Sequence, residues 1–345
     1  MNTTPSSLHV PAPSHLQDSA QLVSHQPHPA IDASQRVPAG ERALILGGGG
    51  STGNAWLIGV AAGLFDAGLD VTAADLTVGT SAGSTAAAQL VGATPAELFD
   101  AVLAAAPRKP AVMPAVIPGA DSAPSAPAKH AGGRNGARAV TDHMERTGRI
   151  LEDSTDMADM RRRMGAAALD MAEAMEGSSA RWRQTVAARL PHQEWPERLV
   201  LLTAVEARTG EPVVFDRHSG VELVDAVAAS CASGFAYGIG SNHYIDGGYR
   251  SNADNADLAG GYSRVLVLSP FGGRTRTPME WGMHLTAQVD ELRRSGSRVE
   301  TVFPVKEAEH LFGVNAMDLS LRPAAAQAGF DQGKALAGPL SAFWH

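Results

Sequence analysis

The chain has very little cysteine and a deficit of basic residues, and both scarcities exclude classes of protein. A single cysteine, Cys231, in 345 residues excludes an intramolecular disulfide framework and gives no zinc-ligand spacing. Its small apolar neighbours favour a buried structural thiol over a reactive one. The formal net charge is -8, and the one basic run, Arg161–Arg163, is too short to compensate. We therefore expect no nucleic-acid partner, no bound metal and no cofactor.

Long apolar runs are absent as well. No stretch approaches the ~18 to 20 uninterrupted apolar residues of a membrane span. Residues 1–40 lack the basic start and the apolar segment of a secretory signal, and they are rich in Pro, Ser, His and Gln. This composition predicts a disordered N-terminal segment and a cytoplasmic protein that can touch a membrane only from its surface. Nothing in the sequence indicates the oligomeric state.

What the chain does contain is an α/β order of elements, in one domain over 41–345. Ala43–Leu46 is a short apolar run that ends in glycines, which is typical of a buried strand. A helix capped by Asn54 and ended by Gly68 is expected after it. Further strands are predicted at 76–78, 198–204, 212–215, 244–245 and 265–268, and further helices at 82–90 and 221–230.

An insertion is predicted at about 106–190, between the parts of the motif-bearing core, 43–259. Pro, Ala and Gly crowd its first part without an apolar period, which favours a flexible lid or linker. Further along, methionines recur at helical spacing, at Met157, Met160, Met164, Met171 and Met175. This stripe fits either core packing or an adaptable apolar wall for acyl chains.

Three segments carry candidate chemistry. Ser81 lies in Gly79-Thr80-Ser81-Ala82-Gly83, which fits the G-x-S-x-G turn that exposes a nucleophilic serine between a strand and a helix. The run Gly47-Gly48-Gly49-Gly50 can bring backbone N–H groups to an oxyanion, because no Cβ intervenes. Asp246 precedes two glycines and is the candidate general base, although Asp-Gly turns are common. Ester hydrolysis needs a nucleophile, a base and oxyanion donors, and the sequence offers each of them.

In this order the segments resemble those of the patatin-like phospholipase family, over roughly 43–258. The resemblance is carried by Gly48-Gly49-Gly50-Ser51-Thr52-Gly53, by Gly79-Thr80-Ser81-Ala82-Gly83-Ser84 and by Tyr244-Ile245-Asp246-Gly247-Gly248-Tyr249-Arg250-Ser251-Asn252. It implies a three-layer α/β/α fold with a mainly parallel central sheet and the nucleophile on a strand-to-helix elbow. It also implies a lipid or other acyl ester as substrate.

The resemblance further implies a Ser/Asp dyad that needs no histidine. Ser81 would be the nucleophile, Asp246 its general base, and the loop with Gly48, Gly49 and Gly50 the oxyanion hole, with the last two as the preferred donors. Supporting turns would come from the remaining motif glycines: Gly53, Gly79, Gly83, Gly247 and Gly248. The chain departs from the family at Thr52, where members commonly carry a basic residue. Assistance to an anionic head group from that position is therefore not expected.

Three alternatives stay open at this point. Gly48 to Gly53 also fit the dinucleotide fingerprint G-x-G-x-x-G, with Asp70 at about the expected distance of ~20 residues, but Asp70 follows a predicted helix end. A Ser-Asp-His triad could use His284 or His310 as its base. Finally, a patatin-like fold could bind a lipid or a protein without turnover, because fold alone does not establish chemistry.

Overall fold

The computed structural model describes residues 32–105, 132–175 and 177–345, with only the backbone for 132–141. Most of the predicted N-terminal segment, 1–40, and the start of the predicted insertion, 106–131, lie outside the described residues. The described residues belong to one compact unit, Ile31–His345.

A mixed, mainly parallel sheet of eight strands lies at the centre of this unit. Its strands are β1 (Gly40–Leu46), β2 (Leu76–Gly79), β3 (Leu199–Glu206), β4 (Pro212–Phe215), β5 (Tyr237–Ile239), β6 (Asn242–Asp246), β7 (Tyr262–Leu268) and β8 (Arg298–Val302). The order along the sheet is β5-β6-β3-β2-β1-β7-β8, and β4 pairs with β3. The strands predicted from the sequence are confirmed, while β5 and β8 were not predicted.

Helices surround the sheet. In the described ranges they are α1 (Gly50–Asp66), α2 (Ala82–Leu90), α3 (Pro95–Ala104), α4 (Gly132–Glu152), α5 (Met157–Glu173), α6 (Ser178–Ala187), α7 (Leu223–Ser230), α8 (Leu285–Arg294) and α9 (Arg322–Trp344). Short 3-10 turns lie at Ser34–Arg36, Gly247–Tyr249, Ala256–Ala259, Met279–Trp281, Lys306–Leu311, Gly313–Asn315 and Leu319–Leu321. None of the helices described is long and apolar enough to cross a bilayer.

The two faces of the sheet carry separate cores. Alternate residues of β1 point to opposite faces, so Leu44 and Leu46 pack with α1, α2, α7 and α9, whereas Ala43 and Ile45 pack with α8. Helices therefore cover both faces, and the predicted three-layer α/β/α fold is confirmed. The apolar run 43–46 suits the second half of β1, because this half is buried on both faces of the sheet.

Parallel pairing of the strands determines where the loops that follow β1 and β2 lie. β1 pairs in parallel with β2 and with β7, and β2 pairs in parallel with β3. The loop after β1 and the turn after β2 therefore leave the sheet at the same end, where ligand sites of open α/β sheets lie. β6 runs antiparallel to β3, with Asp246 opposite Ala204, while Gly79 lies opposite Leu202. This register brings the end of β6 next to the turn after β2.

Glycines let α1 pack closely against α9. A Cβ on Gly59 would overlap the carbonyl oxygen of Ala326, and one on Gly63 would overlap that of Phe330. On α9, Gly329 and Gly333 are in similar close contact with the backbone of α1. Glycine at these positions lets the two backbones approach more closely than larger side chains would permit.

The later part of the predicted insertion is helical. Met157, Met160 and Met164 lie on α5, are at most 7% exposed, and pack with neighbours such as Val205 and Ile245 under the sheet. Of the two interpretations of the methionine stripe, core packing therefore describes these three residues.

Candidate active site

Ser81 occupies a strained turn between β2 and α2. Its φ of 52° and ψ of -115° place it in a region that L-residues rarely adopt, and of the described non-glycine residues only Asn255 also has a positive φ. Such a conformation costs on the order of 1 to 3 kcal/mol and persists only where the surroundings impose it. Gly83 makes the turn feasible, because a Cβ there would overlap the Leu46 carbonyl oxygen; one on Gly79 would lie 2.7 Å from the Cα of Ser84.

The hydroxyl of Ser81 points at Asp246. Ser81 Oγ donates a hydrogen bond of 2.7 Å to Asp246 Oδ2, and the Gly248 N–H donates one of 2.8 Å to the other carboxylate oxygen. Gly247 lets this turn lie against β3, since a Cβ there would overlap the side chain of Thr203. The two oxygens of Asp246 are thus held by one backbone N–H and by the hydroxyl of Ser81.

Burial makes Asp246 a stronger base than an ordinary aspartate. The residue is 7% exposed, and this desolvation raises its pKa from 3.8 to about 6, against the opposing effect of the hydrogen bonds from Gly248 and Ser81. The carboxyl group is still ionised at neutral pH. It can therefore accept a proton with a driving force closer to that of histidine than an exposed aspartate could provide.

The glycine loop lies beside the serine, and its N–H groups differ in availability. A Cβ on Gly48 would lie 3.6 Å from the Cβ of Ser81. The Gly48 N–H, however, donates a hydrogen bond of 2.7 Å to the Ala253 carbonyl. The N–H groups of Gly49 and Gly50 have no hydrogen-bond acceptor within the described part of the chain. α1 begins at Gly50, so its positive dipole end lies at the same place.

These observations correct the assignment of Gly48. A backbone N–H that already donates to the Ala253 carbonyl is not free to stabilise an oxyanion. Gly48 instead allows the loop to approach Ser81, and Gly49 and Gly50 remain as candidate donors.

Comparison with known proteins agrees with this geometry. A family model described as patatin-like phospholipase matches residues 44–258, which is more than half of the chain. The chain belongs to the patatin-like phospholipase family. Among solved structures, the type III effector protein ExoU is similar at 13% sequence identity and a TM-score of 0.28, over 86% of this chain and 54% of that chain. This chain thus spans about half the length of that solved structure. The comparison with curated proteins found no match to this chain.

In this patatin-like protein the start of α1 differs from the predicted one. Asn54 was expected to cap the helix, but α1 begins four residues earlier, after the extended Gly49. Asn54 lies inside the helix and is 5% exposed. Its Nδ2 donates to Gln89 Oε1 at 2.9 Å and contacts the Ala82 carbonyl at 3.4 Å. The residue links α1 to the elbow helix instead of capping α1, because Gly49 and Gly50 already form the turn into the helix.

Several supporting residues were not predicted from the sequence. Ser230 Oγ accepts a hydrogen bond of 2.9 Å from the Ser81 N–H, which fixes the backbone of the candidate nucleophile. Asn255 Nδ2 donates to Thr80 Oγ1 at 2.9 Å and to the Gly247 carbonyl at 3.0 Å. Asn255 thereby ties the elbow to the aspartate turn. The only hint in the sequence to a role for Asn255 is its position three residues after the end of the third motif.

Cys231 contacts the backbone of Ser81. Its thiol donates a hydrogen bond of 3.0 Å to the Ser81 carbonyl. Burial, and then the Asp246 carboxylate, raise the pKa of the thiol. A thiol that stays protonated and donates to the elbow fits the predicted structural role.

The rival motifs do not join this site. His284 Nε2 lies 3.0 Å from the Thr277 carbonyl and His310 Nδ1 lies 2.9 Å from the Glu307 carbonyl, so neither takes the place of a base on Ser81. Asp70 accepts from the N–H and hydroxyl of Thr72 in an exposed turn, not at a strand end. The dinucleotide and triad interpretations therefore lack the geometry that they require.

Thr52 places a neutral side chain inside the first motif. Its side chain is fully buried, and Thr52 Oγ1 has no hydrogen-bond partner within the described ranges. In those same ranges no group of His, Cys, Asp or Glu side chains could hold a metal ion.

Proposed function

We propose that the protein hydrolyses carboxylic ester bonds of lipids through a Ser81–Asp246 dyad. The observation that carries this proposal is the 2.7 Å hydrogen bond from Ser81 Oγ to Asp246 Oδ2, made by a serine held at positive φ. A strained nucleophile in direct contact with a buried carboxylate is an arrangement suited to acyl transfer. Membership of the patatin-like phospholipase family supports the choice of a lipid ester.

Acylation would proceed by proton transfer within the dyad. Asp246 Oδ2 accepts the proton of Ser81 as Oγ attacks the ester carbonyl carbon and the carbonyl oxygen takes the negative charge. The N–H groups of Gly49 and Gly50, which have no other acceptor within the described residues, would stabilise that oxyanion. When the intermediate collapses, the bond to the leaving oxygen breaks and Asp246 returns the proton to it. An alcohol leaves, and the acyl group stays on Ser81.

Deacylation would repeat these steps with water. Asp246 accepts a proton from a water molecule as the water oxygen attacks the acyl carbon, and the N–H groups of Gly49 and Gly50 stabilise the second oxyanion. The Ser81–acyl bond then breaks, the proton returns to Ser81 Oγ, and a free fatty acid is released. No third catalytic side chain is needed to balance the protons.

The oxyanion donors carry much of the expected rate. Loss of one donor of this kind typically raises the barrier by about 3 to 4 kcal/mol. The raised pKa of Asp246, about 6, supplies a further share by making the proton transfer from Ser81 less unfavourable.

Covalent labelling tests the proposal. We expect a fluorophosphonate probe to label the wild-type protein and to fail with Ser81→Ala, while Ser295→Ala, an exposed serine on the other face of the sheet, labels normally. Turnover would then be measured on p-nitrophenyl esters of increasing chain length and on phospholipid vesicles. Absence of labelling in folded wild-type protein would contradict the proposal. It would favour the alternative, a patatin-like protein that binds a lipid or a protein without hydrolysing it.

A further inference from the structure

Arg322 lies outside the three motifs and contacts the first turn of α1. It is the first residue of α9. Its Nη1 donates to the Ser51 carbonyl at 2.7 Å and contacts Ser51 Oγ at 3.2 Å, and its Nη2 donates to Asn54 Oδ1 at 3.1 Å. One guanidinium thus binds two residues of the helix that begins at Gly50, beside the candidate oxyanion donors Gly49 and Gly50.

The direction of α9 brings Arg322 to this place. Gly59 of α1 lies against Ala326 of α9, and further along, Asp66 of α1 forms an ion pair of 2.7 Å with Lys334 of α9. The two helices therefore run in the same direction, and both begin at the end of α1 that carries the glycine loop. Arg322 joins the helices at the start of α1, and Lys334 joins them at its end.

The hydrogen bond to Asn54 extends the connection to the elbow. Because Oδ1 of the Asn54 amide accepts from Arg322, its Nδ2 is directed toward α2. There it donates to Gln89 Oε1 at 2.9 Å and contacts the Ala82 carbonyl at 3.4 Å. Ala82 follows Ser81 and is the first residue of α2. Arg322 therefore fixes the orientation of a side chain that joins the start of α1 to the start of α2.

A cation is costly at this position. Arg322 is partly buried, its acceptors on Ser51 and Asn54 are neutral, and no ion pair within the described ranges includes it. Burial, and then the charge of Arg189, lower its pKa to about 10, so it is still protonated at neutral pH. Since charges removed from water are ordinarily paired, this arrangement indicates a role beyond the packing of α9.

We propose that Arg322 is a positioning residue that sets the distance between Ser81 and the oxyanion donors Gly49 and Gly50. The proposal rests on the proposed ester hydrolysis. Arginine suits this task because its planar fork holds two acceptors in a fixed geometry. Without it the first turn of α1 would shift relative to α2, and a misplacement of about 1 Å can cost about a hundredfold in rate. The loss would fall on the transition state, because the ground-state ester carries no oxyanion.

The split between kcat and KM tests this role. We expect Arg322→Gln to lower kcat on p-nitrophenyl butyrate about tenfold to a hundredfold per site labelled by a fluorophosphonate, and to change KM by less than about twofold. Arg322→Lys keeps the charge without the fork, and its kcat should lie between those of Arg322→Gln and wild type. Lys334→Gln removes the exposed contact at the other end of α1 and is the matched control, with kcat within about twofold of wild type.

Affinity for an anionic tetrahedral adduct gives a second readout. The boron of n-octylboronic acid bonds to Ser81 Oγ while Asp246 accepts the serine proton, which leaves the negative charge on the adduct. Its inhibition constant should rise in Arg322→Gln by about the factor by which kcat falls, since both depend on the same donors.

The outcomes separate this proposal from the proposed function. If wild type is neither labelled nor active, the proposed function fails, and the positioning role fails with it. If wild type is active, the positioning role alone is overturned when Arg322→Gln keeps the kcat of wild type and lowers only Tm. It is also overturned when Arg322→Gln loses kcat but binds the boronic acid as tightly as wild type does.

Discussion

The buried carboxyl group of Asp246 makes one substitution report on catalysis and stability together. Asp246→Asn keeps the shape of the side chain and removes its charge. We expect turnover to be nearly abolished, because an amide cannot accept the Ser81 proton. We also expect the folded protein to become more stable, since the pKa of Asp246 is raised from 3.8 to about 6 by burial. Activity and stability should therefore change in opposite directions.

The sign and size of the stability change follow from linkage. Below pH 3.8 the carboxyl group is protonated in both the folded and the unfolded protein. Between pH 3.8 and 6 it ionises in the unfolded chain first, so the folded state loses stability as the pH rises. The penalty is complete above pH 6 and amounts to about 3 kcal/mol. Asp246→Asn removes it, which predicts a gain of about 1 kcal/mol at pH 4.5 and about 3 kcal/mol at pH 8.

Two measurements check this prediction. Urea unfolding of wild type and Asp246→Asn at pH 4.5 and pH 8 gives the two differences in the free energy of unfolding. The pH dependence of kcat/KM of wild type should rise through an apparent pKa near 6 and then level off, as expected for a base that must be ionised. Asp100→Asn, an exposed carboxylate on α3, is the control and should alter neither measurement. An equal stability difference at both pH values, or a rate that is flat down to pH 5, would refute the reasoning.

Two further predictions concern stability. Asp254 is 2% exposed, and burial raises its pKa to about 7. Asp254→Asn should therefore add about 4 kcal/mol to the free energy of unfolding at pH 8 and less than half of that at pH 5. Urea titration at the two pH values measures both differences. Gly59→Ala should lower Tm, with a loss of about 1 to 3 kcal/mol, because its Cβ would overlap the Ala326 carbonyl oxygen. Gly260→Ala, where a Cβ would lie at an ordinary contact distance of 3.5 Å from the Asp257 carbonyl oxygen, should change the free energy of unfolding by less than about 1 kcal/mol, and equal effects of the two glycine substitutions would contradict this packing.

The parts of the fold that were predicted correctly have strong local signals. The helix Ala82–Leu90 has the predicted bounds, since a strand, a G-x-S-x-G turn and an alanine-rich run leave few alternatives. The strand Pro212–Phe215 has the predicted bounds, and it pairs antiparallel with β3. Local signals also placed β1, because a continuous apolar run before glycines fits a strand that is buried on both faces.

The parts that were missed depend on distant residues. Asparagine is a favoured helix cap, so Asn54 was assigned that role, but the glycines before it start the helix earlier and α2 provides its hydrogen-bond partners. Which N–H group of the glycine loop stays free depends on the Ala253 carbonyl, about two hundred residues further along the chain. Arg322 has no motif around it, and only the packing of α9 on α1 brings it to Ser51.

The glycine loop is held by one residue within the family match and by one residue beyond it, and this bears on how the candidate site is preorganised. The Gly48 N–H donates to the Ala253 carbonyl, within the matched span 44–258. The Thr52 N–H donates to the Ala316 carbonyl, which lies beyond that span. Electrostatic stabilisation of an oxyanion requires donors that are fixed before the reaction begins. Since one anchor of the loop follows the matched span and α9 packs along α1, the geometry of Gly49 and Gly50 depends on the whole described unit, and the three motifs alone do not determine it.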